Sequence, residues 1–193
     1  EAAIIAMPGE PRLYQRSGAL VRIVRLGPTN ARRIRSAAGT LAIVPVDLPA
    51  LVEIMTKACA WLKVDKRNDG HKRINAPHEA AATLLARRQW KFPHLTGVVE
   101  SQTLRPDYSV LDVPGYDAQT GLYFDPGATR FGPIDLHPDR DAAMAGLDVL
   151  RDMLKEFPFA TGVDESVALA ALLTGLVRLS LAGAPLFGIS AEV

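Results

Sequence analysis

The chain has 193 residues, of which 48% are hydrophobic, and its formal net charge is +1. This is enough apolar material for a core, which excludes a disordered tail. One cysteine and four histidines exclude a disulfide framework and cysteine-based zinc sites, a usage typical of a reducing compartment, so we expect a cytoplasmic protein.

The charges are unevenly distributed along the chain. Residues 1–91 hold 16 Lys and Arg against 7 Asp and Glu, whereas residues 92–193 hold 6 against 14. Such asymmetry is a hint of a polyanion-binding face beside an acidic body. The alternative is two ordinary solvated surfaces, because the sign of a charge bears on partners and not on fold.

The first predicted elements are strands. Residues 12–26 alternate around Ser17 and Gly18 in the pattern of a hairpin with one charged face. An Arg-rich loop over residues 30–39 follows, and then a short apolar strand that ends at Pro45.

Two helices joined by a basic loop are predicted next. Asp47 is a good N-cap for a helix that runs through Leu62. Residues 63–73 are polar and basic, which indicates a loop. A second helix opens with Asn75 as its cap and Pro77 in its first turn.

From residue 92 the pattern changes to short strands and tight turns. It predicts a strand in LTGVVES, a hairpin that turns at Pro106 and Asp107, and a second hairpin closed by residues 117–121. Together these segments predict a small antiparallel meander.

The remaining residues predict two helices and a strand. The first helix covers residues 140–157, and the second runs from its cap Asp164 to Leu181. Its apolar stretch is shorter than the roughly 20 residues that cross a bilayer, so we expect it in a protein core and expect no membrane partner. A buried strand is predicted over Pro185 to Ile189.

The glycine spacing near the end of the chain is that of a phosphate-binding loop. Gly183 and Gly188 match GxxxxGK[ST], but Ile189 occupies the lysine position and Pro185 cannot donate an amide. We therefore interpret the segment as a strand leading towards such a loop, which would lie outside this chain.

An acidic motif offers a possible hard-metal site. DLHPDRD places Asp135, His137, Asp139 and Asp141 within seven residues. The last two also suit a helix cap and first turn, so we expect no metal there. A metal-dependent enzyme acting on oligonucleotides is kept as a third possibility. No GxSxG, HExxH or GxGxxG motif occurs, so hydrolase and dehydrogenase interpretations have no support.

The basic residues of the first half are the main functional signal. Lys and Arg bind phosphates regardless of base sequence, and Trp61, Trp90 and Phe92 are either stacking surfaces for unpaired bases or core residues. We expect one continuous cationic surface, the alternative being charges that merely solvate loops. The candidate nucleic-acid-binding residues are Arg32, Arg33, Arg35, Lys63, Lys66, Arg67, Lys72, Arg73, Arg87, Arg88 and Lys91.

Residues 73–193 resemble the region that precedes the ATPase core in phage- and plasmid-type primase-helicase proteins. The resemblance is carried by WKFPHLTGVV, by TLRPDYSVL and GYDAQTGLYFD, and by the final helix and strand. In that family the segment links a DNA-processing or DNA-binding part to a nucleotide-driven motor. No Walker A lysine, Walker B carboxylate or arginine finger can be assigned here, so no catalytic residue carries over.

The sequence therefore predicts an α+β protein in three parts. Residues 1–91 form a basic part with a hairpin and helices that contacts nucleic acid, residues 92–135 form the antiparallel meander, and residues 136–193 form an acidic helical part that leads towards an absent ATPase core.

The expected function is that of a non-catalytic, DNA-binding or linker region of a mobile-element replication helicase or related ATPase. The alternative is a protein-interaction scaffold that does not bind nucleic acid. Expected partners are nucleic acid and the ATPase core of the same parent chain, and an oligomer is left open. This chain alone is expected to hydrolyse no ATP and to hold no cofactor; ATP and magnesium would be bound only by a motor domain of the parent.

Overall fold

The computed structural model describes residues 1–7, 13–27, 29–31, 34–36, 39–65, 70–178 and 181–190. The chain forms two compact units. The first unit consists of Glu1–Glu100 and Pro114–Gly127, and the second of Ser101–Val113 and Ala128–Val193. Helices and mostly antiparallel sheets confirm the predicted α+β class.

The helices and strands of the described residues follow one another in this order: α1 (Ala2–Ile5), β1 (Leu13–Arg16), β2 (Ala19–Arg25), β3 (Thr29–Ala31), β4 (Ile34–Ser36), β5 (Leu41–Pro45), α2 (Leu48–Ala58), β6 (Trp61–Asp65), β7 (Gly70–Ile74), α3 (His78–Ala86), β8 (Gly97–Val99), β9 (Thr103–Leu104), β10 (Val110–Leu111), β11 (Gly115–Tyr116), β12 (Leu122–Phe124), α4 (Arg140–Leu154) and α5 (Gly162–Leu176).

The first sheet has the antiparallel order β1-β2-β5. The predicted hairpin is confirmed, with Ser17 and Gly18 at φ of 48° and 74°. Positive φ at both central residues matches the twist of the flanking strands and closes a tight two-residue turn. The predicted strand ending at Pro45 is confirmed as β5.

The two faces of this sheet belong to different parts of the core. Leu13 and Leu20 pack in a cluster with residues of α1, α2 and α3. Tyr14 and Val21, one residue further along each strand, pack in a second cluster with residues of β8, β11 and β12. Because successive strand residues point to opposite faces, the sheet is the middle layer of the first unit.

Three elements of the first unit differ from the prediction. Helix α2 is capped by Asp47 as predicted, but it ends at Ala58 because Cys59 is extended, with φ of −155°. The predicted loop at residues 63–73 is wrong: β6 and β7 form an antiparallel hairpin there. Within the predicted loop at 30–39, the described residues form the β3–β4 hairpin.

Helix α3 has the predicted apolar face but not the predicted cap. Ala81 and Leu84 are buried, while Pro77 is the N-cap and no side chain caps the helix. Asn75 as the capping residue is therefore wrong. Its neighbour Ala76 instead donates its backbone N–H to the Thr56 hydroxyl of α2 at 2.9 Å.

The central strands do not form a single antiparallel meander. β11 and β12 form the predicted hairpin, but β8 pairs with β12 in parallel. The predicted hairpin β9–β10 is present as a separate two-stranded sheet in the second unit. Residues 92–100 and 114–127 lie in the same compact unit as residues 1–91.

The second unit contains both long helices. Asp139 caps α4, where its carboxylate accepts from the Ala142 N–H at 2.8 Å. The cap of α5 is Thr161 and not Asp164, which instead sits at the third helical position and completes a capping box. Among the described helices, none is long and apolar enough to pass through a membrane.

The predicted buried strand at Pro185 to Ile189 is wrong. Residues 183–190 form no regular secondary structure, and Leu186 is 99% exposed and Ile189 87% exposed. An apolar run predicts burial only where a neighbouring element covers it, and no described element of this chain does so.

Candidate nucleic-acid interface

The β6–β7 hairpin is a two-stranded ribbon anchored at one end. The Trp61 indole donates to the Met55 carbonyl oxygen at 2.9 Å, at the end of α2. Trp61 is half-buried, as is Ile74, which lies opposite it in the ladder. Five residues per strand at about 3.4 Å each make the ribbon about 17 Å long.

Both faces of the ribbon are open to solvent beyond its anchored end. Leu62, Lys63 and Val64 are consecutive and all exposed, and so are the three residues His71 to Arg73 of the other strand. Successive side chains point to opposite faces of a strand, so exposure of three in a row means that neither face is covered.

Three of the predicted cations lie on this ribbon. Lys63 stands directly opposite Lys72, and Arg73 lies opposite Leu62. No carboxylate in the described part of the chain forms a salt bridge with any of these cations. Like charges directly opposite in a ladder are destabilising, so the Lys63–Lys72 pair favours a bound anion.

A second group of predicted cations follows α3. Arg87 forms a salt bridge with Glu1 at 3.3 Å. Arg88 adopts a left-handed conformation with φ of 58° and donates to the Gly18 carbonyl oxygen at 3.3 Å. Lys91 is exposed and has no salt bridge to a described residue.

The two groups lie at opposite ends of the antiparallel pair α2–α3. The start of α3 is tied to the end of α2 through Thr56, whereas Leu48 at the start of α2 and Leu85 at the end of α3 line one shared cavity. Helix α3, whose nine residues span about 14 Å, lies between the two groups. One surface joining all the cations stays a prediction.

Most of the other predicted cations lie outside the described residues. Arg32, Arg33, Lys66 and Arg67 fall outside the described residues, and Arg35 lies in β4. In the sequence, Lys66 and Arg67 fall between the two strands of the ribbon.

The aromatic residues considered for base stacking belong to the core. Trp90 is 8% exposed and donates from its indole to the Leu84 carbonyl oxygen, and Phe92 is 2% exposed. Trp61 is half-buried and packs against the same core cluster. Trp90 and Phe92 therefore present no free ring face for an unpaired base.

The aspartates of the motif DLHPDRD hydrogen-bond to the nearby backbone of a turn and of a helix N-terminus. Asp139 caps α4, and the Asp135 carboxylate accepts from the His137 N–H at 2.9 Å. Over the residues that the structure describes, no group of three or more His, Cys, Asp or Glu is arranged to hold a metal ion.

Large apolar side chains are exposed on both long helices of the second unit. Val149 and Met153 of α4 are 66% and 70% exposed, and Val163 and Leu176 of α5 are 71% and 64% exposed. Leu147, Leu150 and Leu154 of α4 are half-buried, so Val149 and Met153 are exposed on another side of the same helix. From the sequence we expect the apolar stretch of α5 to lie in a protein core.

The ribbon's exposed apolar residues Leu62 and Val64 were missed by the sequence analysis. The signal that could have found the ribbon is the Asp69-Gly70 dipeptide, a hairpin-turn signature, between two runs containing β-branched residues.

Comparison of the chain with protein-family models, with curated proteins and with solved structures gives no match.

Proposed function

We propose that this chain is a non-catalytic module that binds nucleic acid through the ribbon β6–β7. The observation that carries the proposal is the set of Lys63, Lys72 and Arg73: three exposed cations on a protruding hairpin, without a described carboxylate partner. A phosphate backbone neutralises such cations and releases counterions, which makes binding favourable and independent of base sequence.

The resemblance to primase-helicase proteins supports a more specific form of this proposal. On that basis the chain is a DNA-binding or linker region beside the ATPase motor of a phage- or plasmid-type replication protein. ATP and magnesium would then be bound by the motor of the parent chain, which in such proteins carries the phosphate-binding lysine.

The test is the salt dependence of DNA binding by the whole chain. A fluorescently labelled oligonucleotide is titrated at several ionic strengths between about 50 and 200 mM, where phosphate contacts weaken steeply. The double variant Lys63→Ala, Lys72→Ala should bind more weakly and lower the log–log salt slope by about 2, one for each lost phosphate contact.

The matched control is Lys57→Ala, an exposed lysine of α2 that already pairs with Glu53. This variant removes a positive charge from the same unit and should leave the salt slope unchanged. Absence of binding at low salt, or equal slopes for all three proteins, would overturn the proposed function.

A protein-interaction scaffold is the second candidate, and the exposed apolar residues of α4 and α5 favour it. Val149, Met153 and Val163 are all more than half exposed, together with Leu186 and Ile189 near the end of the chain. Exposed apolar side chains that form a contiguous patch mark protein contacts. Apolar docking is insensitive to salt, so a partner held equally well across that ionic-strength range would support the scaffold.

A further inference from the structure

The cations of the ribbon point to two sides. Lys63 and Lys72 face each other in the ladder and share one face, while Arg73 follows Lys72 in the chain and lies on the other face, beside His71. A single phosphate backbone lying along one face would leave the other face unused. The arrangement fits a partner that presents phosphates on both sides of the ribbon at once.

The thickness of the ribbon can be compared with the widths of the grooves in DNA and RNA duplexes. Stacked sheets lie about 10 Å apart, which is the thickness that one strand layer occupies with its packed side chains. The major groove of B-form DNA is about 12 Å wide and flanked by a phosphate backbone on each side, whereas the minor groove is about 6 Å wide. The major groove of an A-form RNA duplex is too deep and narrow for protein side chains to enter.

The apolar side chains of the first unit argue against a single strand. Single-strand binding relies on exposed aromatic rings on which bases stack. Within the described residues of the first unit, the large apolar side chains that are exposed are Ile5, Leu62 and Val64, none of them aromatic.

We infer that ribbon β6–β7 enters the major groove of double-stranded DNA, with Lys63 and Lys72 turned to one phosphate backbone and Arg73 to the other. This inference rests on the proposed function and adds the form of nucleic acid and the groove.

The first test compares three labelled ligands of equal length: a DNA duplex, one of its single strands, and the RNA duplex of the same sequence. Fluorescence anisotropy with the whole chain should show at least about tenfold tighter binding to the DNA duplex than to either alternative, because only that duplex offers a groove of the right width. Methyl green, a major-groove ligand, should displace the protein, and netropsin, a minor-groove ligand, should not.

The second test removes one cation from each face. Lys63→Ala and Arg73→Ala should each weaken duplex binding about three- to tenfold, since each removes a contact to a different backbone. Lys63→Arg should keep binding because it keeps the charge. These side chains are exposed and have no described salt-bridge partner, so the variants should fold, which circular dichroism verifies.

The possible results separate the inference from the proposed function. Equal or tighter binding to the single strand, displacement by netropsin and not methyl green, or an effect from only one face would overturn the groove model while nucleic-acid binding stands. Failure to bind any of the three ligands at low salt would overturn both.

Discussion

Gly121 closes the hairpin β11–β12 in a conformation that requires glycine. Its φ is +71°, and a Cβ at this position would lie 2.6 Å from the Thr96 hydroxyl oxygen and 3.1 Å from the His94 carbonyl oxygen. Its own carbonyl oxygen accepts from the Thr96 N–H at 2.8 Å, so the turn cannot move away without breaking the link to the segment before β8.

We expect Gly121→Ala to lower the free energy of unfolding by about 2–4 kcal/mol, from left-handed strain plus steric overlap. Gly127→Ala is the matched control, because Gly127 also has positive φ but open space around its Cα. The control should lose only about 1–2 kcal/mol. Urea unfolding of both variants measures the difference, and equal losses would show that the close contact is relieved cheaply.

Ionisation of the Tyr116 phenol makes the stability of the same region depend on pH. It donates to the His94 carbonyl oxygen at 2.7 Å and packs on Tyr14 with ring centroids 5.3 Å apart. Burial raises the pKa of Tyr116 above its usual value of 10.0, and the nearby Asp117 carboxylate raises the same pKa further.

A raised folded-state pKa means that the folded protein holds the phenolic proton more tightly than the unfolded chain does. The stabilisation is present below about pH 10 and is lost as pH rises through the folded-state pKa. The free energy of unfolding of the wild type should therefore fall more steeply than that of Tyr116→Phe between about pH 9 and 11. Parallel profiles would contradict this linkage. Asp117→Asn should keep part of the effect, since burial remains.

At the scale of elements, the N-terminus of α5 depends on one reciprocal pair. The Thr161 hydroxyl accepts from the Asp164 N–H at 3.3 Å, and the Asp164 carboxylate accepts from the Thr161 N–H at 2.8 Å. These two bonds satisfy backbone donors that the first turn of a helix leaves without intrahelical partners.

Thr161→Ala should lower the stability of α5 by about 1 kcal/mol, the usual effect of losing a capping side chain. Thr161→Ser keeps the hydroxyl and should stay close to the wild type. Amide hydrogen exchange over residues 162–165 should accelerate in the alanine variant alone. Unchanged exchange there would mean that water or neighbouring groups replace the cap.

Some elements could be predicted from the sequence because the spacing of their apolar residues follows which side chains are buried. The β1–β2 hairpin alternates, since one face packs on the helices and the other on a second sheet, and its turn carries Ser17 and Gly18. The ribbon β6–β7 was missed because neither of its faces is covered, so no alternation marks it. Residues 185–189 show the opposite error. The run is apolar and was predicted to be a buried strand, yet Leu186 and Ile189 are exposed.

For the candidate site, the sequence identifies the residues but not their arrangement. Charge counts along the chain identify Lys63, Lys72 and Arg73 as candidates, because cations in a polar segment lie at the surface in most folds. Their opposition across a ladder, and the separation of Arg87 and Arg88 at the far end of α3, follow from strand register and helix packing. Neither register nor packing can be derived from local composition.

At the scale of the whole molecule, the two units differ in how much apolar surface they bury. Of the buried hydrophobic residues in the described chain, only Leu111 and Leu169 belong to the second unit. Helix α2 buries Leu51, Ile54 and Met55, whereas no residue of α4 is buried. Burial of apolar area is the dominant favourable term in folding, so the second unit gains less of it from its own chain.

We therefore expect α4 and α5 to open at a lower free energy than α2. In native-state hydrogen exchange of the intact chain, amides of α4 and α5 should be less protected than those of α2, by at least about tenfold, since regions with few buried contacts open locally. Measuring exchange at two pH values confirms that protection reports the opening equilibrium. Equal protection in all three helices would show that the exposed Val149, Met153 and Leu176 do not mark an incomplete core.

A partner that covers these side chains should raise protection in α4 and α5 and leave α2 unchanged. This response distinguishes docking on the second unit from DNA binding on the ribbon.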